Sequence, residues 1–262
     1  MHFSRRTFIN AGLLTLGAIS ASPLRGRAAT PMHISYFDYF APFSFLNDKQ
    51  EMQGVFVDVL IEALQNRMQI PLTHQGFPWA RAQQMVREGY ADAFCTVPTN
   101  ERREYTEVSA EPLVTATFTM FTRRNGPNVA KLNDVKSLAE LSPFLIGHYL
   151  GSGWAHQKLG GMRIDWATNL DMALRKLAYG RNDVFIDVAE VIRPRIKELK
   201  LENDLIELPQ VLDTQQFNLC VRKESAFTKM LPDFDKVIRQ MRLDGSLAAI
   251  YRKFEILPPI AK

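Results

Sequence analysis

This sequence of 262 residues has little of the material from which catalytic or metal centres are built. Its five histidines show no metal-ligand spacing, and it has only two cysteines. It contains no Gly-x-Ser-x-Gly element, no His-Glu-x-x-His motif and no phosphate-binding loop. The sequence therefore predicts neither a catalytic residue nor a metal ion or cofactor.

An excess of charge of one sign is also absent once the N-terminal segment is set aside. The whole chain has 32 Lys and Arg against 28 Asp and Glu, a formal net charge of +4. Residues 1–28 hold four arginines and no acidic residue, so the remainder is balanced at 28 of each sign. This balance gives no support to a nucleic-acid partner or to binding of an anionic membrane. After residue 28, no run reaches the roughly 18 apolar residues that a membrane-spanning helix needs.

Residues 1–28 have the pattern of an export signal. Arg5 and Arg6, followed by Phe8, resemble the twin-arginine consensus, and an apolar stretch occupies residues 11–21. We expect this segment to be cleaved, and the mature protein to reach a bacterial periplasm by the twin-arginine route. The alternative interpretation is an N-terminal helix of the core.

Cys95 and Cys220 each lie in an apolar, strand-like run. They can pair in an oxidising compartment if their strands are neighbours. Two buried free thiols that act as small hydrophobic side chains are an equally good interpretation.

Strand-like and helix-like segments alternate along the chain, which is typical of α/β folds with mainly parallel sheets. Strands are predicted at residues 33–36, 72–75, 92–96, 115–122, 145–148, 184–186 and 218–221, and helices at 55–68, 78–89, 169–180, 188–199, 230–244 and 247–254. Polar breaks near residues 122–127 and 210–216 divide this series. We expect residues 29–122 and 216–262 to form one lobe, with 123–215 inserted as a second lobe through two crossings.

The segment from Asp92 to Pro112 is the most informative part of the chain. It places Arg102 just beyond a predicted strand, behind a turn rich in small polar residues. Ligands of open α/β sheets bind beyond the carboxyl ends of the strands. A guanidinium is well suited to hold a carboxylate there through two parallel hydrogen bonds. The pattern predicts a cleft for a small anion or zwitterion, and the competing interpretation is a surface ion pair with Glu101 or Glu104.

Short motifs along the chain have an order and spacing that resemble one family. They include Thr99-Asn100-Glu101-Arg102, Gly180-Arg181-Asn182-Asp183, and the segments 39–45, 53–60, 89–93, 111–113, 146–153 and 242–246. Together they resemble the periplasmic solute-binding protein family 3 for polar amino acids, whose members are receptors of ABC importers. The resemblance covers nearly all of the mature chain.

The resemblance implies a type II periplasmic-binding-protein fold of the α/β class. Its second lobe is inserted into the first, and a two-strand hinge allows closure around a ligand in the cleft. It also implies a monomeric, non-enzymatic receptor that binds an amino acid or similar small carboxylate. Such a receptor hands its ligand to a membrane permease.

The resemblance also assigns site residues. The arginine that matches Arg102 binds the ligand carboxylate in the family. Thr99 fills one of two expected hydroxyl positions, Val97 occupies the other, and Thr96 lies near enough to substitute. The remaining candidates are Phe40 and Trp79 as aromatic walls, Gly151 and Ser152 in a glycine-rich turn before a helix, and Asp187 for the ligand's amino group.

Some alternatives stay open at this point. Asp187 follows Asp183 by four residues where the family's spacing is usually five, and a helix N-cap is its competing role. An enzyme on the same scaffold would need a cleft acid or base such as Glu111, Asp187 or His148. A periplasmic ligand sensor that is not coupled to transport is a further possibility.

Overall fold

The computed structural model describes residues 1–2 and 30–256. Apart from its first two residues, the export signal predicted at 1–28 lies outside the described residues. Within the described part, no helix combines the length and the apolar content needed to cross a bilayer.

The described chain is a mixed α/β structure. Its strands are β1 Met32–Phe37, β2 Tyr39–Phe40, β3 Ser44–Leu46, β4 Met52–Gln53, β5 Leu72–Phe77, β6 Ala93–Thr96, β7 Thr106–Val108, β8 Val114–Arg123, β9 Ile146–Tyr149, β10 Ile164–Ala167, β11 Val184–Val188 and β12 Leu205–Arg222. Its helices are α1 Val55–Leu60 (continued by a π-helical segment, Ile61–Arg67), α2 Trp79–Arg87, α3 Asn100–Tyr105, α4 Val129–Asn133, α5 Gly153–Lys158, α6 Leu170–Ala178, α7 Ala189–Glu198, α8 Leu231–Leu243 and α9 Ser246–Lys253. Short 3₁₀ segments occupy Leu138–Leu141 and Ala226–Met230.

Nine strands form one connected sheet whose two halves define two lobes. The order is β10-β9-β11-β8-β12-β6-β1-β5, with β7 paired to β12. Lobe 1 contains β6, β1, β5 and β7, and lobe 2 contains β11, β9 and β10. Strands β8 and β12 connect the halves, because β8 pairs with β11 while the last residues of β12 pair with β6 and β7. A separate small sheet, β2-β3-β4, belongs to lobe 1.

The polar break predicted near residues 210–216 does not interrupt the secondary structure. Strand β12 runs through residues 210–216 and accommodates them with register shifts between Glu207 and Asp213. Such bulges bend a strand while the ladder continues on either side. The lobe boundaries at residues 122 and 216 stay predictions.

Helix α1 fixes the position of the aromatic segment that precedes it. Gly54, just before the helix, has a φ of 123°, and a Cβ there would lie 2.5 Å from the carbonyl oxygen of Phe43. Only glycine allows this conformation and this close approach. Phe43 and Phe56 consequently stack with a centroid distance of 5.3 Å, and Phe40 is held against the same cluster.

The two cysteines are free and buried, although their strands are neighbours. The register of β6 and β12 pairs Cys95 with Leu219 and Cys220 with Phe94. Because neighbouring residues of a strand point to opposite faces, this offset of one residue places the two thiols on opposite faces of the sheet.

We therefore expect oxidation state to have no effect on folding stability. The melting temperature of the purified protein should be the same with and without a reducing agent. A thiol reagent should label both cysteines after denaturation and neither rapidly before it. A single oxidised pair in the native protein would contradict the register.

Candidate ligand-binding site

A cavity lies between the lobes, where α2, β6 and α3 of lobe 1 face β11 and α5 of lobe 2. The cavity has a volume of about 50 Å³ for the centres of water molecules. This is enough for a few water molecules or a small ligand group. Six of the eight predicted site residues line it: Phe40, Trp79, Thr96, Arg102, Ser152 and Asp187.

Arg102 is a buried charge in the lining of this cavity, with 3% of its surface exposed. Its Nη1 donates to the carbonyl oxygen of Val97 at 2.8 Å, and its Nε donates to Gln83 Oε1 at 3.1 Å. The Trp79 ring lies 5.1 Å from the guanidinium carbon. Burial lowers the pKa of Arg102, although an arginine side chain keeps its charge in proteins.

No carboxylate of the described residues pairs with Arg102. Glu101, the candidate for a surface ion pair, pairs with Arg87 instead. The acceptors around Arg102 are an amide and a backbone carbonyl, which are neutral. A buried charge that lacks a counter-charge costs free energy that a bound anion can offset.

The turn before Arg102 caps helix α3, a role that the sequence analysis did not distinguish from ligand binding. Thr99 is the N-cap of α3, and its Oγ1 accepts from the backbone N–H of Arg102 at 3.4 Å. The Thr106 hydroxyl donates to the Arg102 carbonyl oxygen at 2.8 Å. Thr99 is absent from the cavity lining, so its hydroxyl positions the arginine rather than facing the cavity.

Lobe 2 covers the guanidinium with backbone. A Cβ on Gly153 would lie 2.9 Å from Arg102 Nη2, so this position has no room for a side chain. Ser152 is the N-cap of α5 and accepts from the backbone N–H of Ala155 at 3.4 Å. Gly151 lies beside the cavity and not in its lining, where its carbonyl oxygen accepts from Gln83 Nε2 at 3.2 Å.

Asp187 brings a second buried ionisable group to the cavity, from the end of β11. Its Oδ1 accepts from the backbone N–H of Val188 at 2.8 Å, and its Oδ2 has no hydrogen-bond partner among the described residues. Desolvation raises the pKa of Asp187 to about 7, an effect that the backbone N–H of Val188 and, to a smaller extent, the nearby Tyr149 hydroxyl partly offset. The N-cap of α7 is Val188, so the alternative role for Asp187 as a helix cap is not what the structure shows.

Aromatic rings from both lobes form the remaining walls. Phe40 and Trp79 were predicted, and Phe37 stacks on Phe40 with a centroid distance of 5.6 Å. From lobe 2, Phe118 and Trp154 stack at 4.4 Å. Further lining residues that sequence reasoning missed are Phe56, Tyr149 and Phe217.

A second chamber of about 340 Å³ adjoins the cavity at the mouth of the cleft and shares Phe37, Trp79 and Tyr149 with it. Asp38 and Asp171 lie in its lining, next to apolar groups. Desolvation raises the pKa of both carboxyls. Asp171 pairs with Arg195, whereas Asp38 has no ion-pair partner in the described part of the chain. The lining of this chamber therefore carries one carboxyl, that of Asp38, without an ion-pair partner among the described residues.

The other candidate acids and bases have structural partners. His148 is fully buried between the carbonyl oxygen of Ile186 and the backbone N–H of Tyr149, which makes Nε2 the protonated nitrogen. Burial lowers the pKa of His148 to about 3. Glu111 forms ion pairs with Arg239 and Arg242, away from the cavity. Among the described residues, no group of three or more His, Cys, Asp and Glu side chains is arranged to hold a metal ion.

The described chain thus has two α/β lobes joined by two strands, with a cavity between the lobes. Residues 32–256 match the model of the bacterial extracellular solute-binding proteins, family 3, and the chain belongs to that family. No curated protein matches the chain.

Solved structures show the same fold at low sequence identity. A histidine kinase sensor domain with similarity to periplasmic binding proteins has a TM-score of 0.76 at 19% identity, covering 88% of this chain and 99% of that one. The arginine-, lysine-, histidine-binding protein ArtJ from the thermophilic bacterium Geobacillus stearothermophilus has a TM-score of 0.70 at 19% identity, covering 88% and 97%. The ancestral amino acid-binding protein AncCDT-1, a precursor of cyclohexadienyl dehydratase, has a TM-score of 0.65 at 19% identity, covering 86% and 95%. The predicted type II fold is confirmed.

The buried carboxyl of Asp187 generates a pH prediction for the ligand-free protein. Because its folded pKa is about 7 and lies above the unfolded value, the protonated group stabilises the fold fully below about pH 4. That contribution is lost as the pH rises through 7. Asp187→Asn removes the titration, so the variant should gain stability over wild type between pH 4 and 7, by at most about 4 kcal/mol.

Denaturant unfolding of both proteins between pH 4 and 8 measures this difference. Parallel stability curves for wild type and Asp187→Asn would show that Asp187 is solvated in the ligand-free protein.

Proposed function

We propose that this protein is a periplasmic receptor that binds an amino acid or similar small carboxylate between its lobes and delivers it to an ABC-type importer. The observation that carries the proposal is the buried guanidinium of Arg102, which has neutral partners only in the described chain. A ligand carboxylate supplies the missing counter-charge through the donors that remain on Nη1 and Nη2.

Asp187 supports a ligand that also carries a positive charge. Its unpartnered Oδ2 lies in the lining of the same cavity, on the opposite lobe from Arg102. An ammonium group placed there would hold the carboxyl in its ionised form. Recognition of a zwitterion thus uses one charged residue from each lobe, and both contacts exist together only in the closed form.

The chamber at the mouth suits a ligand side chain with a cationic end. Its walls are mainly apolar or aromatic, and the unpaired carboxyl of Asp38 lies in its lining. Aromatic faces and a carboxylate together favour a cation on an aliphatic stem. One structural relative is an arginine-, lysine-, histidine-binding protein, which agrees with this ligand class.

Closure of the lobes would give the permease a form to recognise. We assign the hinge to the crossing segments around residues 114–117 of β8 and 214–217 of β12, since β8 pairs with β11 from Phe118 onward. The receptor would act as a monomer, without cofactor or catalytic step. Export by the twin-arginine route would remove residues 1–28.

A second candidate function is ligand sensing without transport. A histidine kinase sensor domain has the same fold, and the similarity covers 88% of this chain. Neighbouring genes for a permease and an ATPase would favour transport, and a neighbouring kinase gene would favour sensing. Product formation from the ligand would favour the enzyme alternative instead.

A thermal-shift screen of amino acids, polyamines and small carboxylates identifies the ligand. We expect micromolar affinity, about −8 kcal/mol, and a stabilisation of about 2.7 kcal/mol at a hundredfold excess over Kd. Basic amino acids should give larger shifts than acidic ones. No shift with any carboxylate-bearing compound would remove the proposal.

Arg102→Ala should weaken binding of the compound found in that screen by about 30-fold to several thousand-fold, the equivalent of about 2–5 kcal/mol, because the ligand carboxylate loses its buried partner. Isothermal titration calorimetry measures the change.

Arg103→Ala is the matched control. Arg103 is the adjacent, exposed arginine, and its Nε donates to the Pro98 carbonyl oxygen at 3.2 Å, outside the cavity lining. This variant should bind as wild type does. Equal affinities for the Arg102→Ala and wild-type proteins would exclude Arg102 from the site.

A further inference from the structure

A glutamine on α2 connects the guanidinium of lobe 1 to the backbone of lobe 2. Trp79 and Gln83 are four residues apart in this helix and share the face that points to Arg102. Gln83 Oε1 accepts from Arg102 Nε at 3.1 Å, and Gln83 Nε2 donates to the carbonyl oxygen of Gly151 at 3.2 Å. One carboxamide is thus bound at both ends.

The orientation of this carboxamide is fixed by its partners. A guanidinium has donors only, and a backbone carbonyl has acceptors only. The oxygen of Gln83 must therefore face Arg102 while its NH₂ group faces Gly151. Turning the amide over would lose both hydrogen bonds at once.

The turn of lobe 2 is shaped to approach these groups. Gly151 has a φ of 85°, a left-handed conformation that glycine adopts without strain. A Cβ there would lie 3.4 Å from both Gln83 Nε2 and Trp79 Cδ1. With the close approach of Gly153 to Arg102 Nη2, the turn contacts the arginine and the glutamine together.

The bond to Gln83 also determines which donors of Arg102 remain for an anion. Nε is occupied by Gln83, and one N–H of Nη1 is occupied by Val97. The remaining donors lie on Nη1 and Nη2. Gln83 itself is not in the cavity lining, so it acts on a ligand only through the arginine.

We propose that Gln83 is a positioning residue that couples the occupation of Arg102 to closure of the lobes. An anion on the Nη donors holds the guanidinium with Nε toward Gln83. The carboxamide orientation that accepts from Nε is the one that presents its NH₂ to Gly151. The inference rests on the proposed function for the identity of the anion, but the contact between the lobes is present without it.

Other contacts between the lobes lack this connection. The backbone N–H of Asn100 donates to Gln157 Oε1 at 3.2 Å, and the Arg195 guanidinium lies 4.0 Å from the centre of the Tyr39 ring. Neither contact includes Arg102. They stabilise closure whether or not the site is occupied. Sensitivity to occupation therefore lies in the contacts at Arg102, which are the hydrogen bonds through Gln83 and the close approach of Gly153 to Nη2.

The adjacent glutamine provides a matched control. Gln84 is exposed and bonds to Arg81 and Glu88 on its own helix. Gln83→Met and Gln84→Met remove the same carboxamide from neighbouring positions of α2. Gln83→Glu keeps an acceptor for Arg102 Nε but has no donor for the Gly151 carbonyl oxygen. This variant therefore removes the hydrogen bond between the lobes while it keeps the hydrogen bond to Arg102.

The distance between the lobes is measured by electron paramagnetic resonance, with spin labels at Tyr90 and Tyr179, which are exposed on lobe 1 and lobe 2. Each protein is measured alone and with excess L-arginine as the probe. We expect Gln83→Met and Gln83→Glu to lower the ratio of closed to open protein by about twofold to tenfold, the effect of one lost hydrogen bond. Gln84→Met should match wild type.

The inference is overturned if the Gln83 and Gln84 variants give the same distances as wild type. It is also overturned if wild type shows no closed population in either condition. Failure of the proposed function has a different result: no carboxylate-bearing compound then gives a thermal shift, while the Gln83 variants still differ from Gln84→Met when each protein is measured alone.

Discussion

The cleft of this protein is organised around one buried positive charge that the chain itself does not neutralise. Burying an ion costs several kcal/mol unless a partner is supplied, and the groups in contact with Arg102 are an amide, a carbonyl and an aromatic ring. Three of the elements that meet at the cavity position this group. Helix α3 carries it, α2 orients it, and the turn before α5 covers it with backbone. Within the described chain, Arg102 therefore lies in the cleft without a counter-charge in contact with it.

Much of the fold follows from sequence because its strands are short apolar runs between helices with a clear apolar face. Each predicted strand and helix has a counterpart in the structure, with ends that differ by a few residues. Residues 205–217 of β12 were missed, since Pro209 and the polar residues that follow it indicate a break and the strand accommodates them by bulging. The strands of the small sheet, two or three residues long, are too short to show a periodicity.

The structure brings together the predicted residues that have one dominant chemistry, whereas residues whose role depends on tertiary neighbours were missed or given another role. Arg102 and Asp187 line one cavity as expected. Thr99 was assigned to the ligand, but a hydroxyl before a helix serves equally as its cap, and the cap is what the structure shows. Gln83 belongs to no sequence motif that would indicate its role. Its helical spacing from Trp79 was available in the sequence, although its partner Gly151 is 68 residues away and is brought near only by the tertiary fold.

The placement of the two thiols on opposite faces of the sheet has a consequence for biogenesis. No covalent bond has to form after synthesis, so the final conformation is available in a reducing cytoplasm as well as in an oxidising envelope. Maturation of this protein therefore needs no dithiol oxidase or disulfide isomerase. Its accumulation should be the same in cells that lack those enzymes.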